Sequence, residues 1–318
     1  MRRSGGWAAL VYAVKRNWSS VLEQVSGRTG DMLKFTVVSW NVDSRGGGLS
    51  ERIQRVAEFG ADVALLQEVP RRAEEVLENA PGFAWARMTT QYSEPNGRSP
   101  SRIATAILGS SRLQLHEVGQ VPANRFVDAG AAAGLSEFEV RNRTGWLHRN
   151  LYVDAEIGGH MVRLVSLHAR PATGGQPGRP PLGYARQLFH RVCADWLGQH
   201  DGTTVFGVDA NAPYVDHPDP EHWQPAMAGD ATLVGPHPQH HLTDALYRWL
   251  EQHPTDLDRL RAERPNGPLA TSYRTNSGRP CRYDHLFISD DLAVETIAYH
   301  PPQQHGSDHG AVTATLSL

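Results

Sequence analysis

Short β-branched apolar runs alternate along this chain with segments whose apolar side chains recur every three or four residues. Residues 33–40 are a run of the first kind and predict a buried strand. Residues 49–59 put Ile53, Val56 and Ala57 at helical spacing, and Gly60 follows where a left-handed C′ residue ends a helix. The same reading gives a strand at 63–66 and a helix at 71–79, stopped by Pro81-Gly82. A polar Gly/Pro loop covers 92–101. Residues 103–108 and 113–118 predict a hairpin pair, and 129–134 a small-residue linker. A second strand pair, 147–157 and 160–167, turns at Gly158-Gly159. After a Gly/Pro loop at 171–181 comes a helix at 184–197, with Leu188, Val192 and Trp196 on one face. Residues 203–208 predict a strand, 212–241 a long polar section rich in His and Pro, 242–251 a helix, and 283–288 and 311–316 the closing strands.

Strands interleave with helices, yet several strand pairs have hairpin-length turns. That combination predicts mixed sheets, and two of them packed face to face under outer helices fit the pattern. The N-terminus stands apart. Met1-Arg2-Arg3 precedes an apolar run at 7–14, but Lys15-Arg16 ends it and no small-residue cleavage site follows. Trp7, Leu10, Val11, Val14, Trp18, Val21, Leu22 and Val25 fall at helical spacing. Residues 1–32 are therefore expected to form a helical extension or a disordered leader, with membrane-surface attachment and partner docking as alternatives. Residues 33–318 are expected to form one domain.

A formal net charge of −3 over 318 residues argues against a protein that coats nucleic acid by bulk electrostatics. It leaves room for a local basic groove. Two cysteines, Cys193 and Cys281, make no disulfide framework and predict reduced thiols in a cytoplasmic protein. No stretch is long enough to predict a transmembrane helix.

The chemistry sits where the strands end. Ser39-Trp40-Asn41, Leu66-Gln67-Glu68-Val69, Ser166-Leu167-His168, Gly207-Val208-Asp209-Ala210-Asn211, Arg282-Tyr283-Asp284-His285 and Ser307-Asp308-His309 each present an acid, amide or imidazole. Glu68 ends an apolar run, where a carboxylate is costly without a cation beside it, so it is the best metal ligand. Asn41 can position Glu68 or a metal's water; an Asn at a strand end is also an ordinary turn residue. Asp209 and Asn211 face the same way in extended geometry and can address one phosphate. An Asx turn capping the strand fits the same pair. His168 and His309 can serve phosphoryl and leaving oxygens, with Asp284 a candidate partner for His309 and Asp308 a further metal ligand.

In this order, from about residue 35 to the end, the motifs resemble the endonuclease/exonuclease/phosphatase superfamily, which includes pancreatic-type deoxyribonucleases, abasic-site endonucleases, sphingomyelinases and inositol-polyphosphate phosphatases. Leu242-Thr243-Asp244-Ala245, Thr271-Ser272-Tyr273 and above all Gly306-Ser307-Asp308-His309 carry the likeness. The resemblance implies a four-layer α/β sandwich, two packed mixed β-sheets flanked by helices, and a hydrolase using Mg²⁺ or Mn²⁺. It implies Asn41 and Glu68 in the metal shell with Asp308 beside it. Asp209 takes the water, Asn211 the phosphate, and His168 the acid or oxyanion role, while Asp284 orients His309. Ser166-Leu167-His168-Ala169-Arg170-Pro171 is similar to the deoxyribonuclease and sphingomyelinase branches, and Ser93-Glu94-Pro95-Asn96-Gly97-Arg98 to a deoxyribonuclease loop. Arg98 and Arg170 are accordingly substrate-binding candidates. The acid that orients the first histidine in that branch has no counterpart; Ile103 falls near its place.

Two features lie outside the motifs. His217, His222, His237, His240 and His241 crowd the polar section without a standard Zn²⁺ spacing. Arg141, Arg143 and Arg149 read either as a basic lip or as a solvated strand edge. The expected activity is a phosphodiesterase with nuclease-like hydrolysis of a phosphoester, nucleic acid among the candidates. A phosphomonoester, phospholipid or small-molecule phosphate is the alternative, and a non-catalytic binding protein the third reading.

Overall fold

The computed structural model describes residues 32–43, 48–92, 102–171, 182–212, 216–223, 227–235, 237–302 and 305–318. The expected extension at 1–32 lies almost wholly outside these residues, as do the 93–101 loop with Arg98 and the loop at 172–181. The described elements belong to a unit running from Lys34 to Leu318.

The first sheet has the strand order β13-β14-β1-β2-β4-β3. Its members are β1 (Lys34–Asn41), β2 (Val63–Pro70), β3 (Trp85–Met88), β4 (Ile103–Gly109), β13 (Ala293–Tyr299) and β14 (Val312–Ser317). The second has the order β5-β6-β7-β8-β12-β9. It contains β5 (Leu113–Gly119), β6 (Asn150–Ile157), β7 (His160–His168), β8 (Thr204–Asp209), β9 (Thr243–Asp244) and β12 (Asp284–Ile288). A small ribbon, β10 (Tyr273–Arg274) with β11 (Pro280–Cys281), stands beside them. Pairings are antiparallel except β1 with β2 and β7 with β8, so both sheets are mixed.

Helices cover the outer faces. Alternation along β1 and β2 turns Val38, Trp40, Ala64 and Leu66 outward onto α1 (Leu49–Glu58) and α2 (Glu74–Glu78), where Ile53, Val56 and Leu77 complete one core. Val165, Leu167, Phe206 and Val208 face outward from the second sheet onto α3 (Ala123–Ala132), α4 (Glu137–Thr144) and α5 (Leu182–Leu197). Three further helices follow in chain order: α6 (Asp230–Leu233), α7 (Ala245–Gln252) and α8 (Pro254–Glu263). Layers therefore run helix, sheet, sheet, helix: the four-layer α/β sandwich.

Between the sheets the core is partly polar. Gln67 Nε2 donates to Ser166 Oγ at 3.1 Å, and Ser166 Oγ donates to the Leu66 carbonyl at 3.1 Å. Opposite them a Cβ on Gly207 would lie 2.5 Å from Ser39 Oγ and 2.9 Å from Leu65 Cδ1, so the sheets meet there because residue 207 has no side chain.

Several sequence expectations change. The pair at 103–108 and 113–118 is no hairpin. Both edges of β4 are occupied by β2 and β3, and β5 crosses to pair with β6. The small-residue stretch at 129–134 is largely the end of α3. Its small side chains let α4 approach: a Cβ on Gly130 would lie 2.0 Å from Val140 Cγ2. The helix expected at 71–79 shortens to α2, since Arg71 still bonds to Arg102 across the strand pair. Arg141 lies on α4, not on a strand edge, and Arg149 is buried, so neither reading of that basic cluster holds as stated. Strands β3, β10, β11 and β13 and helices α4, α6 and α8 have no counterpart among the elements the sequence pattern predicts.

Candidate active site

Both parallel pairs end at one end of the sandwich. Asn41 closes β1 beside Gln67 of β2, and His168 closes β7 beside Asp209 of β8. On its other side Asp209 pairs with Asp284 of β12. Main-chain register thus brings His168, Asp209 and Asp284 into one row.

Asp209 is the centre. It is wholly buried. Its Oδ2 accepts from Asn41 Nδ2 at 2.8 Å and Asn211 Nδ2 at 2.9 Å, and its Oδ1 accepts from the Asn211 amide at 2.9 Å. Burial pushes its carboxyl up to about 7; the imidazole of His309 opposes the shift, while Asp284 and Glu68 add to it. The extended geometry expected for Asp209 and Asn211 is not found. Asn211 has φ 47° and closes an Asx turn on Asp209. The two side chains still meet, but through a left-handed turn instead of strand alternation.

His309 follows a loop sewn to the first sheet. Ser307 Oγ donates to the Asn41 carbonyl at 2.7 Å and accepts from the His309 amide at 3.1 Å. Trp40 Nε1 donates to the His309 carbonyl at 3.0 Å, and Arg52 donates to the carbonyl of Gly306. The His309 ring donates from Nδ1 to Asp284 Oδ2 at 2.8 Å, which leaves Nε2 4.0 Å from Asp209 Oδ2. Burial opposes a charged imidazole there, but Asp284 and Asp209 outweigh it and push His309 up to about 10. Tyr273 bridges to His309 through the backbone, its ring 4.9 Å from the imidazole and stacked on Tyr283 at 4.8 Å.

His168 is buried, with Nε2 3.3 Å from Glu68 Oε1 and 3.5 Å from Asp209 Oδ2. Burial, reinforced by Arg149, holds it well below the usual histidine range, so its ring is neutral. One guanidinium nitrogen of Arg149 lies 3.0 and 3.1 Å from the two ring nitrogens. An arginine thus joins the two carboxylates around His168, although the sequence reads Arg149 either as part of a basic lip or as a solvated strand edge. Arg170 is half-buried close by, and its Nε makes no hydrogen bond. Gly145, at φ 61°, runs between the two guanidiniums, since a Cβ there would lie 3.1 Å from Arg149 Nε and 3.3 Å from Arg170 Nε.

Glu68 sits in a β-bulge of β2 at φ 50°, a conformation that aims its carboxylate out of the strand. Asp308 is half-buried. The expected metal ligands, the Glu68 and Asp308 carboxylates and the Asn41 amide oxygen, are hard oxygen donors of the kind a divalent cation takes. One buried acceptor also lacks a partner there, since Asp284 Oδ1 makes no hydrogen bond. Ligating atoms of Asp209, Asp284 and His309 lie within 4.8 Å of one another. Among the described residues no such group forms in the His-rich section. His217 and His222 merely lie side by side, and His240 donates to the Leu233 carbonyl.

Buried carboxylates, amides and imidazoles gathered at the ends of two packed mixed sheets suit the chemistry of phosphoester hydrolysis. The chain belongs to the Endonuclease/Exonuclease/phosphatase family, whose model matches residues 38–309. Similar solved structures include D. rerio TDP2 complexed with a single-strand DNA product, at 16% identity and TM-score 0.56, covering 90% of this chain and 99% of that one. Truncated Caenorhabditis elegans TDP2 is similar at 18% identity and TM-score 0.55, covering 90% and 98%. The mannosyl-6-phosphatase Bt3783 of Bacteroides thetaiotaomicron is similar at 16% identity and TM-score 0.54, covering 89% and 100%. No curated protein matches the chain in sequence.

Proposed function

We propose that the protein is a Mg²⁺- or Mn²⁺-dependent phosphodiesterase that hydrolyses its ester with a water aimed by Asp209. The observation that carries this reading is the convergence on one buried carboxylate of Asn41, Asn211, His168 and His309. Held by Glu68 with Asn41 and Asp308, the cation would supply Lewis-acid polarisation of a phosphoryl oxygen.

The chain's own groups divide the remaining work. Asp209, pushed up to about 7, accepts the proton of the attacking water. Asn211 Nδ2, which donates to the Asp209 carboxylate and the Ala169 carbonyl, would exchange the latter bond for one to a non-bridging oxygen. His309, oriented and kept protonated by Asp284, faces the leaving oxygen from Nε2. His168 is a neutral hydrogen-bonding partner, and Arg149 and Arg170 offset charge on the phosphoryl group. The DNA product carried by a TDP2 neighbour supports a nucleic-acid strand as substrate. Two free, buried thiols fit a reducing cytoplasm, and no described helix is long and apolar enough to cross a membrane.

A second reading takes a phosphomonoester. Two guanidiniums on one side of the site suit a terminal dianion, and a phosphatase is among the structural neighbours. Plasmid DNA, RNA, a sphingolipid and small mono- and diesters, each assayed with added Mg²⁺ or Mn²⁺, distinguish the readings. Asp209→Ala and His309→Ala are each expected to lower turnover by roughly 10²–10⁴-fold or more while leaving the folded protein intact. Near-normal turnover by Asp209→Ala would sink the mechanism.

A further inference from the structure

Three buried polar side chains outside the site grip the turn that carries Asp209 and Asn211. Arg186 and His190 lie one helical turn apart on α5, at 1% and 0% exposure. Asp230, also wholly buried, opens α6 in the polar section after the turn. Its carboxylate accepts from Arg186 Nε at 3.0 Å and Nη2 at 2.8 Å, and lies 3.2 Å from His190 Nδ1. The free ends of both α5 side chains then reach the backbone. His190 Nε2 donates to the Ala210 carbonyl at 3.1 Å, and Arg186 Nη1 donates to the Asn211 carbonyl.

We propose that Arg186, His190 and Asp230 are positioning residues that hold the left-handed turn through Asp209, Ala210 and Asn211 in place against the second sheet. The inference rests on the function proposed for Asp209 and Asn211 and adds residues that act through them. A left-handed φ of 47° is uncommon outside glycine, although asparagine tolerates it, and Asn211 adds its own bonds to the Asp209 carboxylate and, from Nδ2 at 2.9 Å, to the Ala169 carbonyl. The two carbonyl bonds from α5 fix where that turn sits against the second sheet. A buried ion pair is no better for stability than apolar residues of similar shape. What it adds here is direction: the bidentate carboxylate fixes the guanidinium plane, so the third donor points at one carbonyl. Gly229 makes the arrangement reachable. A Cβ there would lie 2.5 Å from Gln187 Cβ and 2.7 Å from its Cα, so α6 approaches α5 only over a glycine. The long polar section at 212–241 thereby contributes a residue to the geometry of the site.

The test uses the full-length protein with bis-p-nitrophenyl phosphate and Mg²⁺ or Mn²⁺. His190→Leu, Gly229→Ala and the charge-free double variant Arg186→Met/Asp230→Leu are expected to lower kcat roughly 10- to 100-fold with KM nearly unchanged. His190→Gln, whose amide can still donate to the Ala210 carbonyl, is expected to retain most of kcat. Val192→Ala on the same helix is expected to lose stability and keep kcat. In an Asn211→Ala background His190→Leu should cause a smaller loss than in the unmodified protein, because both changes act on one turn. Full kcat in folded His190→Leu, or an undiminished loss on top of Asn211→Ala, overturns the proposal. If the double variant does not fold, the His190 pair still decides. If the unmodified protein hydrolyses no ester, the functional reading falls alone. The positioning claim is then judged from a crystal structure of His190→Leu, where a left-handed turn in an unchanged place refutes it.

Discussion

Asp284 and His309 make one 2.8 Å contact, and that contact decides which imidazole nitrogen faces the substrate. With Nδ1–H committed to the carboxylate, Nε2 is the reactive atom. Asp284→Asn keeps size and strand position but removes the charge that pushes His309 up. We expect kcat to fall about 10²–10⁴-fold with little change in KM, measured in the same metal-dependent assay. Each of the site residues has an ordinary explanation when read alone, and it is their order along the chain, each ending an apolar run, that makes the set legible. Asn41, His168, Asp209, Asn211, Asp284 and His309 meet as their motifs implied. Arg149 was less legible. Its burial follows from a 3₁₀ turn and a glycine at 145, and the primary structure of that region offers only a cluster of positive charge.

Elements were read well where burial was two-sided and poorly where pairing had to be chosen. A three-residue link between β4 and β5 looks like a hairpin, but turn length cannot reveal that β4 has both edges taken. The edge strand β13 escaped notice because one face is exposed and its apolar alternation is weak. The packing of β8 against β1 and β2 leads to a prediction at this scale. Gly207→Ala places a methyl within 3 Å of Ser39 and Leu65. We expect about 1–3 kcal/mol of destabilisation in urea unfolding. The loss of kcat should exceed what the stability loss explains, since β8 ends two residues later at Asp209.

At the scale of the whole molecule, the buried ions around Arg282 govern acid stability. Arg282 Nη2 donates to both oxygens of Asp244 at 2.6 and 2.7 Å, while Nη1 donates to Asp216 at 3.2 Å. Nε donates to Tyr299 Oη at 2.8 Å, which in turn donates to the Asp284 carbonyl. Burial works against the Asp244 charge, but Arg282 and His285 outweigh it and hold the carboxyl at about 2. An unfolded chain titrates it near about 4. The pair therefore stabilises the native state at neutral pH, and the contribution drains away as pH falls from about 4 towards 2. We expect it to be worth roughly 2–3 kcal/mol, visible as acid unfolding whose pH dependence over that window is shallower in Asp244→Ala. The same variant should lose about 3–5 kcal/mol at pH 7, because Arg282 keeps its charge and loses its main partner.

The two halves of the site hang from different walls. Asn41 and Glu68 ride on the first sheet, and His168, Asp209 and Asp284 on the second. Alignment of the chemistry is therefore a property of the gap, and a small slide of one wall over the other detunes every contact together. Substitutions deep in the interface, far from any ligand, should slow turnover before they melt the protein, and the bare backbone at residue 207 is where that sensitivity should be greatest.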